Sequence, residues 1–293
     1  MHWPILLPLA SALLYAAAAL CLKIALGRGV STWVVLFFSN MVLGLFFLPL
    51  LFFGTSGWDP SAAPWALLAG LLFFVGQIGT FRSLQSGDVS IATPALAAKV
   101  VFVALLSLPI PGSRPDPDLW LAVVLTMAGM ILLQRGPARR ASRPLPTLGW
   151  ALLAALSFAA ADIVVQTGAP AAGFTLFMPV MFGTVATLAL PLLWPHVLRA
   201  PRPVRDDGTW RWMAAGVVLL GLQAMGMGTA IGLFGDATGT NVVYGSRGLW
   251  SLLFLALVAR QLGIEDSVFD RRTLVLRVLG AVCILAAVIL VLF

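Results

Sequence analysis

Two basic residues lie in the middle of apolar stretches that are long enough to cross a bilayer. Lys99 lies in ATPALAAKVVFVALLSL, and Arg247 lies in TNVVYGSRGLWSLLFLALV. A charge at membrane depth costs about 3 kcal/mol or more, and such a residue usually faces a bundle interior or a wet cavity. The two cations therefore predict a polar binding site inside the membrane.

Polar and aromatic residues recur around Arg247 at helical spacing. Steps of four, three and four residues put them on one face of a helix. This face contains Thr240, Tyr244, Arg247 and Ser251, and it is flanked by Asn241 and Trp250. Two interpretations stay open: a solvated substrate site around the arginine, or an arginine paired with a carboxylate for structure alone.

Asp162 is a third charge inside an apolar stretch. Three roles stay open for it: it neutralises Lys99 or Arg247, it carries a coupling proton, or it contacts the substrate. If the three charges line one cavity, the formal charge of that cavity is +1. Such a cavity favours an anion or a zwitterion over a free cation.

Gln77 and Gln223 are polar residues near the middle of two other apolar stretches. They either bind substrate or hydrogen-bond to each other across the bundle. Tyr15 and Phe158, together with the aromatic residues near Arg247, either form an aromatic wall of the site or pack between helices.

The composition is that of a membrane protein with many crossings. Of the 293 residues, 60% are apolar and only 10% are charged, whereas a soluble domain has about 25% charged residues. The net charge of +7 does not indicate nucleic-acid binding, because the cations lie mainly in short loops. Cys21 and Cys283 form no metal-binding spacing and no disulfide framework.

Ten segments of about 20 residues fit the hydrocarbon thickness. The predicted membrane helices are 3–25, 32–53, 64–84, 89–109, 118–134, 148–168, 174–194, 210–233, 239–259 and 273–293. The least certain turn, around GLFGDATG, has Asp236 as its candidate N-cap.

Basic residues lie almost entirely on one side of this arrangement. The loops after odd-numbered helices, with the adjoining helix ends, contain fifteen Lys and Arg residues, whereas the other side contains only Arg114. Positive loops stay in the cytoplasm. The chain is therefore expected to cross the inner membrane repeatedly, with both termini in the periplasm.

The two halves of the chain repeat each other. Tyr15 aligns with Phe158, Gln77 with Gln223, and Lys99 with Arg247, in the same order along the sequence. Five helices is an odd number, so the second half must insert with opposite orientation. We therefore predict two inverted five-helix repeats, residues 1–140 and 141–293, with a substrate site near the midplane between them.

These features together resemble the drug/metabolite transporter superfamily, EamA type. They are ten helices in two repeats, the chain length, an Arg-rich central loop, and small residues in the fifth and tenth helices, namely Gly129, Gly280 and Ala287. The resemblance implies a central cavity lined largely by helices one, three, four, six, eight and nine. The charged, polar and aromatic residues named above as candidates for the site fall on these helices.

The sequence departs from that family at one position. Members often have a Gly-Glu pair after the fourth helix and again after the ninth. Here the first position is Pro111-Gly112-Ser113, without Glu, and the second is Gly263-Ile264-Glu265. In the distantly related plastid triose-phosphate translocators, a Lys-Arg pair on the ninth helix holds phosphate. Only Arg247 matches that pair.

These observations predict a secondary transporter of a small metabolite with an acidic group, such as an amino acid, that works by alternating access. Arg247, Lys99, Tyr244 and Trp250 are its main expected site residues. The resemblance favours export. One alternative is an organophosphate or lipid-phosphate carrier, and another is a membrane-embedded enzyme acting on lipid-linked substrates. No enzymatic or ATP-binding motif is present in the sequence, so we expect no cofactor and no metal.

Overall fold

The computed structural model describes residues 5–53, 60–86, 89–134, 144–200, 208–259 and 271–292. These residues form α-helices and short 3₁₀ turns, with no β-strand among them. The helices are α1 (Leu6–Gly27), α2 (Thr32–Phe47), α3 (Ala63–Ser86), α4 (Val89–Ala97), α5 (Lys99–Ser107), α6 (Pro117–Leu133), α7 (Pro144–Ala172), α8 (Phe174–Leu198), α9 (Thr209–Phe234), α10 (Ala237–Tyr244), α11 (Arg247–Ala259) and α12 (Arg271–Leu292).

The predicted all-α membrane fold is confirmed. Seven of the described helices are long and apolar enough to cross a membrane by themselves. Large apolar side chains cover much of the outer surface; on α12 they include Val278, Val282, Leu285 and Ile289, all exposed. An apolar exterior is what contact with lipid requires.

Local sequence signals account for several helix ends. Asp116 accepts a hydrogen bond from the Leu119 N–H at 2.8 Å and caps α6, which begins with a proline. Asp236 caps α10 in the same way through the Gly239 N–H at 2.8 Å, as the sequence predicted. Gly235, with φ of 69°, ends α9 in the left-handed conformation that glycine adopts without strain.

Two predicted spans differ from expectation, because each consists of two consecutive helices. The fourth span breaks at Ala98, directly before Lys99, and the ninth breaks at Gly245 and Ser246, directly before Arg247. The backbone tightens at both breaks: the Ala98 N–H bonds to Ala95 O at 3.1 Å, and the Ser246 N–H bonds to Val243 O at 3.1 Å. A Gly-Ser pair is a known cause of helix kinks, and each cation is the first residue after a break.

Helix α7 is also longer than predicted, since it begins four residues before the expected 148–168 span and ends four residues after it. Prolines near the start of a helix are tolerated because the first N–H groups lack intrahelical partners. Helix α7 contacts both broken spans.

Helices of each half pack against helices of the other half. Helix α1 packs on α9 and α11, and α7 packs correspondingly on α3 and α5. Helix α2 packs on α8, and α6 packs on α12. Each half thus places its first helix against the third and fourth spans of the other half, which agrees with the predicted repeat. The predicted boundary between residues 140 and 141 lies outside the described residues.

The α6–α12 crossing depends on two glycines. A Cβ atom on Gly129 would lie 2.8 Å from Gly280 O, and a Cβ on Gly280 would lie 2.8 Å from Gly129 O. These distances are too short for a side chain at either position. Small residues therefore let the two helix backbones touch, as is common in membrane bundles.

Candidate functional site

The first buried cation is paired with a carboxylate. Lys99 Nζ lies 2.7 Å from Asp162 Oδ2, and the two side chains are only 17% and 15% exposed. The Asn241 amide also donates to Asp162 Oδ2, at 2.7 Å, and to Ala237 O, at 2.9 Å. Asp162 on α7 therefore connects Lys99 of α5 with Asn241 of α10, and of the partners left open for it, the structure places it on Lys99.

The second cation, Arg247, is half-buried and contacts aromatic rings instead. The Arg247 guanidinium carbon lies 4.4 Å from the centroid of the Tyr244 ring and 5.2 Å from that of Tyr15. The two rings meet edge to face at 6.0 Å. Among the residues that the structure describes, Arg247 has no carboxylate within ion-pair distance. Cation–π contacts attract the guanidinium without neutralising it.

The surroundings of the two cations are related by the repeat, yet they differ in charge. Tyr15 and Phe158 are equivalent positions, and each ring faces the cation of the other half: Tyr15 faces Arg247, and Phe158 lies 5.8 Å from Lys99 Nζ. Among the described residues, Lys99 has a counter-ion and Arg247 has none; the position in α1 equivalent to Asp162 is Ala19. The uncompensated charge of the cluster therefore lies on Arg247.

Trp250 lies on the inner side of α11. Its ring packs in the central apolar cluster that also contains Tyr15, Tyr244 and Phe102. In contrast, Leu249 and Leu252 of the same helix pack in the outer cluster with α6 and α12. The indole Nε1 of Trp250 is buried and has no hydrogen-bond partner among the described atoms.

Four other predicted site residues are not joined to the cations. Within the described part of the chain, no hydrogen bond or ion pair connects Gln77, Gln223, Thr240 or Ser251 with Lys99 or Arg247. Thr240 is buried, and the other three are half-buried. Gln77 Oε1 is buried without a partner. The predicted glutamine pairing across the bundle is not observed as a hydrogen bond.

Sequence reasoning gave Gln166 no role, and it gave Asn241 only a place beside the polar face. Gln166 Nε2 donates to Ser113 Oγ at 2.7 Å, and its Oε1 accepts from the Ala237 N–H at 2.9 Å. It thereby links the loop after α5 to the start of α10. Its spacing of four residues from Asp162 was the available signal, since it puts both side chains on one face of α7.

One carboxyl group outside the spans is electrostatically unusual. Burial raises the pKa of Asp236, and nearby Asp116 raises it further, while the hydrogen bond from Gly239 opposes the shift. The described residues contain no group of three or more His, Cys, Asp or Glu side chains that could hold a metal ion.

Comparison with known proteins supports the architecture. Residues 2–135 match the model of the EamA-like transporter family. No curated protein sequence matches the chain. A solved structure, described only as "Crystal structure of protein", aligns with a TM-score of 0.73 at 18% identity and covers 98% of this chain and 96% of that chain. At this identity the likeness shows the fold alone.

Proposed function

We propose that this chain, whose residues 2–135 match the model of the EamA-like transporter family, is a transporter of that type. We further propose that it carries a small metabolite bearing a carboxylate, such as an amino acid. Transport is secondary-active and proceeds by alternating access. Arg247 binds the acidic group, and export is the direction that the family resemblance favours.

The observation that carries this proposal is the unequal neutralisation of the two buried cations. Lys99 is compensated by Asp162 at 2.7 Å, whereas Arg247 contacts two tyrosine rings. An uncompensated cation at membrane depth is unfavourable unless a ligand or water compensates it. A substrate carboxylate would supply the missing negative charge at this position.

The rings around Arg247 also suit carboxylate recognition. A guanidinium is planar and offers parallel N–H groups that match the two oxygens of a carboxylate. Contact with Tyr15 and Tyr244 restricts the orientation of the guanidinium before substrate arrives, and such preorganisation reduces the entropy lost on binding. Trp250, Gln77, Gln223, Thr240 and Ser251 are proposed to line the rest of the pocket.

The helix breaks support alternating access as the mechanism. Inverted-repeat transporters bind substrate at discontinuous helices near the midplane, and one repeat moves against the other around that site. Here Lys99 and Arg247 each follow a break, and Asp162 bridges the two halves. We propose that Asp162 acts mainly as a charge partner of Lys99. Proton coupling through it is the alternative.

An organophosphate is the second candidate, because an Arg fork binds phosphate as well as carboxylate. Charge favours the carboxylate. A phosphomonoester has about −1.5 to −2 charges at neutral pH, while the cluster of Lys99, Asp162 and Arg247 sums to +1. A monoanionic group balances this cluster, and a phosphate dianion leaves it net negative.

A thermal-stability screen of the purified full chain tests the proposal. The panel contains L-leucine, L-glutamate and succinate as carboxylates, glycerol 3-phosphate and glucose 6-phosphate as phosphates, L-leucinamide as a match lacking the carboxylate, and tetraphenylphosphonium as a cation. A ligand that binds the folded state raises the melting temperature. We expect a shift from a carboxylate and none from L-leucinamide. A shift from phosphates or the cation alone would contradict the proposal.

A further inference from the structure

We propose that the second helix break supplies two further donors to the substrate's acid group: the Ser246 hydroxyl and the Trp250 indole N–H. This inference rests on the proposed function, because it takes Arg247 as the centre of the carboxylate site. It adds Ser246 and a specific atom of Trp250, and it makes both residues determinants of specificity for a carboxylate.

Both groups are buried and unpaired. Ser246 is 3% exposed, and its Oγ has no hydrogen-bond partner in the part of the chain that the structure describes. The Nε1 atom of Trp250 is likewise buried without a partner. Burying a donor without an acceptor is unfavourable, and unsatisfied buried groups are uncommon in native proteins. A ligand acceptor would satisfy both of these groups.

The two side chains share one face of the helix. Ser246 O accepts hydrogen bonds from Leu249 N at 2.9 Å and Trp250 N at 3.3 Å, so the backbone is helical from Ser246 onward. Residues four apart then lie above one another. The ring of Trp250 belongs to the same central apolar cluster as Tyr15 and Tyr244, the rings that contact Arg247. The face that Ser246 and Trp250 share therefore adjoins the central cluster, which also contains the rings in contact with Arg247.

The equivalent positions in the first half have no such donors. Ser246, Arg247 and Trp250 align with Ala98, Lys99 and Phe102. Phe102 packs in the same central cluster as Trp250. Neither the phenyl ring of Phe102 nor the methyl group of Ala98 has a hydrogen-bond donor. The extra donors thus accompany only the cation that lacks a carboxylate. Beside Lys99, for which the protein itself supplies a carboxylate through Asp162, the residues at these two positions are apolar.

The number of donors fits a carboxylate. An ionised carboxylate has about four lone-pair sites on its two oxygens, and it accepts two hydrogen bonds from a guanidinium fork. The Trp250 N–H and the Ser246 O–H account for the remaining two. An amide of the same shape presents one acceptor oxygen and an NH₂ group that conflicts with these donors, so the site rejects it.

Calorimetry on the full chain in lipid nanodiscs tests this inference, with the panel carboxylate that gives the largest thermal shift. Ser246→Ala and Trp250→Phe introduce the residues of the first half, and each should weaken binding about tenfold or more, the loss expected for one charge-assisted hydrogen bond. Replacing Trp250 alone by benzothienylalanine, which keeps the bicyclic shape without the N–H, should give the same loss as phenylalanine.

Thr126 provides a matched control. Its hydroxyl is also buried without a partner, and it contacts the same break, since a Cβ on Gly245 would lie 2.5 Å from Thr126 Cγ2. It is on α6, however, which packs on α12. Thr126→Val should leave the affinity within about twofold of the parent. Ser246→Ala should keep or raise the melting temperature without ligand, because it removes an unsatisfied group.

Two outcomes separate this inference from the proposed function. If Arg247→Ala weakens carboxylate binding about tenfold or more while Ser246→Ala and the benzothienylalanine variant bind like the parent, the donor inference is overturned and the proposed function stands. If no carboxylate in the panel binds the parent protein, both are overturned. In an Arg247→Ala background, the Ser246→Ala effect should fall below about twofold, because groups that bind one ligand moiety are not additive.

Discussion

Asp162 decides which of the two buried cations is available to a ligand. Its carboxylate accepts from Lys99 and Asn241, both at 2.7 Å, which leaves Arg247 without a carboxylate partner in the part of the chain that the structure describes. The attraction between Lys99 and Asp162 repays the loss of hydration only because the pair is close and further hydrogen-bonded. Removing one partner leaves the other charge buried and unpaired.

Asp162→Asn should therefore destabilise the protein by up to about 3 kcal/mol, the low end for a buried pair, because both side chains keep some solvent contact. The double variant Lys99→Met, Asp162→Asn should recover part of this loss, since it removes the orphaned charge. Thermal unfolding in detergent measures both variants. A double variant no more stable than Asp162→Asn would show that the pair is not the reason for the loss.

The same variant addresses proton coupling. If Asp162 carries a coupling proton, Asp162→Asn should abolish pH-driven flux while substrate exchange continues. If Asp162 is only a charge partner, the two transport modes should fall together as stability falls.

Single residues were predictable from the sequence where they broke a pattern. Lys99, Asp162 and Arg247 are charges in apolar stretches, and that contrast alone identified them. The partnerships were not predictable: Asp162 had two candidate cations, and Asn241 was only a flanking residue. The contacts between these side chains depend on the distances between helices α5, α7 and α10. A single sequence does not contain those distances.

At the scale of helices, the hydrophobic pattern could not reveal the two breaks, one before Lys99 and one before Arg247. A tightened turn of one or two residues leaves the apolar run intact, so 89–109 and 239–259 were predicted as continuous helices. Gly245 and Ser246 offered the one local signal, a Gly-Ser pair at which helices kink. Helix ends were easier to predict, because Asp236 is a typical N-cap residue and Gly235 is a typical residue at the end of a helix.

Gly245→Ala tests whether close packing maintains the second break. The new Cβ would lie 2.5 Å from Thr126 Cγ2 and 2.9 Å from Val242 O, so α6 and the break must separate. Overpacking of this kind costs about 1–3 kcal/mol, and substrate affinity should fall as Arg247 shifts. The control is Gly183→Ala in α8, where a Cβ meets nothing within 4 Å. Equal stability of the two variants would contradict this account.

For the whole molecule, the all-α membrane fold was predictable because apolar segments recur along the whole chain. The division into two repeats stays a prediction, which rests on residues that align in the same order in both halves. Tyr15 and Phe158 aligned in sequence, and each ring indeed faces the cation of the opposite half. The charge of the loops adds a prediction about orientation, which helix packing alone does not fix.

Both termini should face the periplasm, because fifteen cations lie on the side of the odd-numbered loops and one lies on the other. A periplasm-active reporter fused after Phe293 should be active, and a cytoplasm-active reporter at the same position should be silent. Activity of the cytoplasm-active reporter alone would show the opposite orientation and contradict this prediction.

The proposed carboxylate site depends most on Arg247, which binds the substrate's acid group. Calorimetry with the best-binding carboxylate of the panel should show a tenfold to hundredfold weaker affinity for Arg247→Ala, the loss of about 1.5–3 kcal/mol expected for a charge-assisted bond. Arg247→Lys should recover only part, because lysine is a point charge without the planar fork. Lys99→Ala should cost less, because Asp162 already compensates Lys99. An Arg247→Ala protein that is folded and binds like the parent would contradict the central claim.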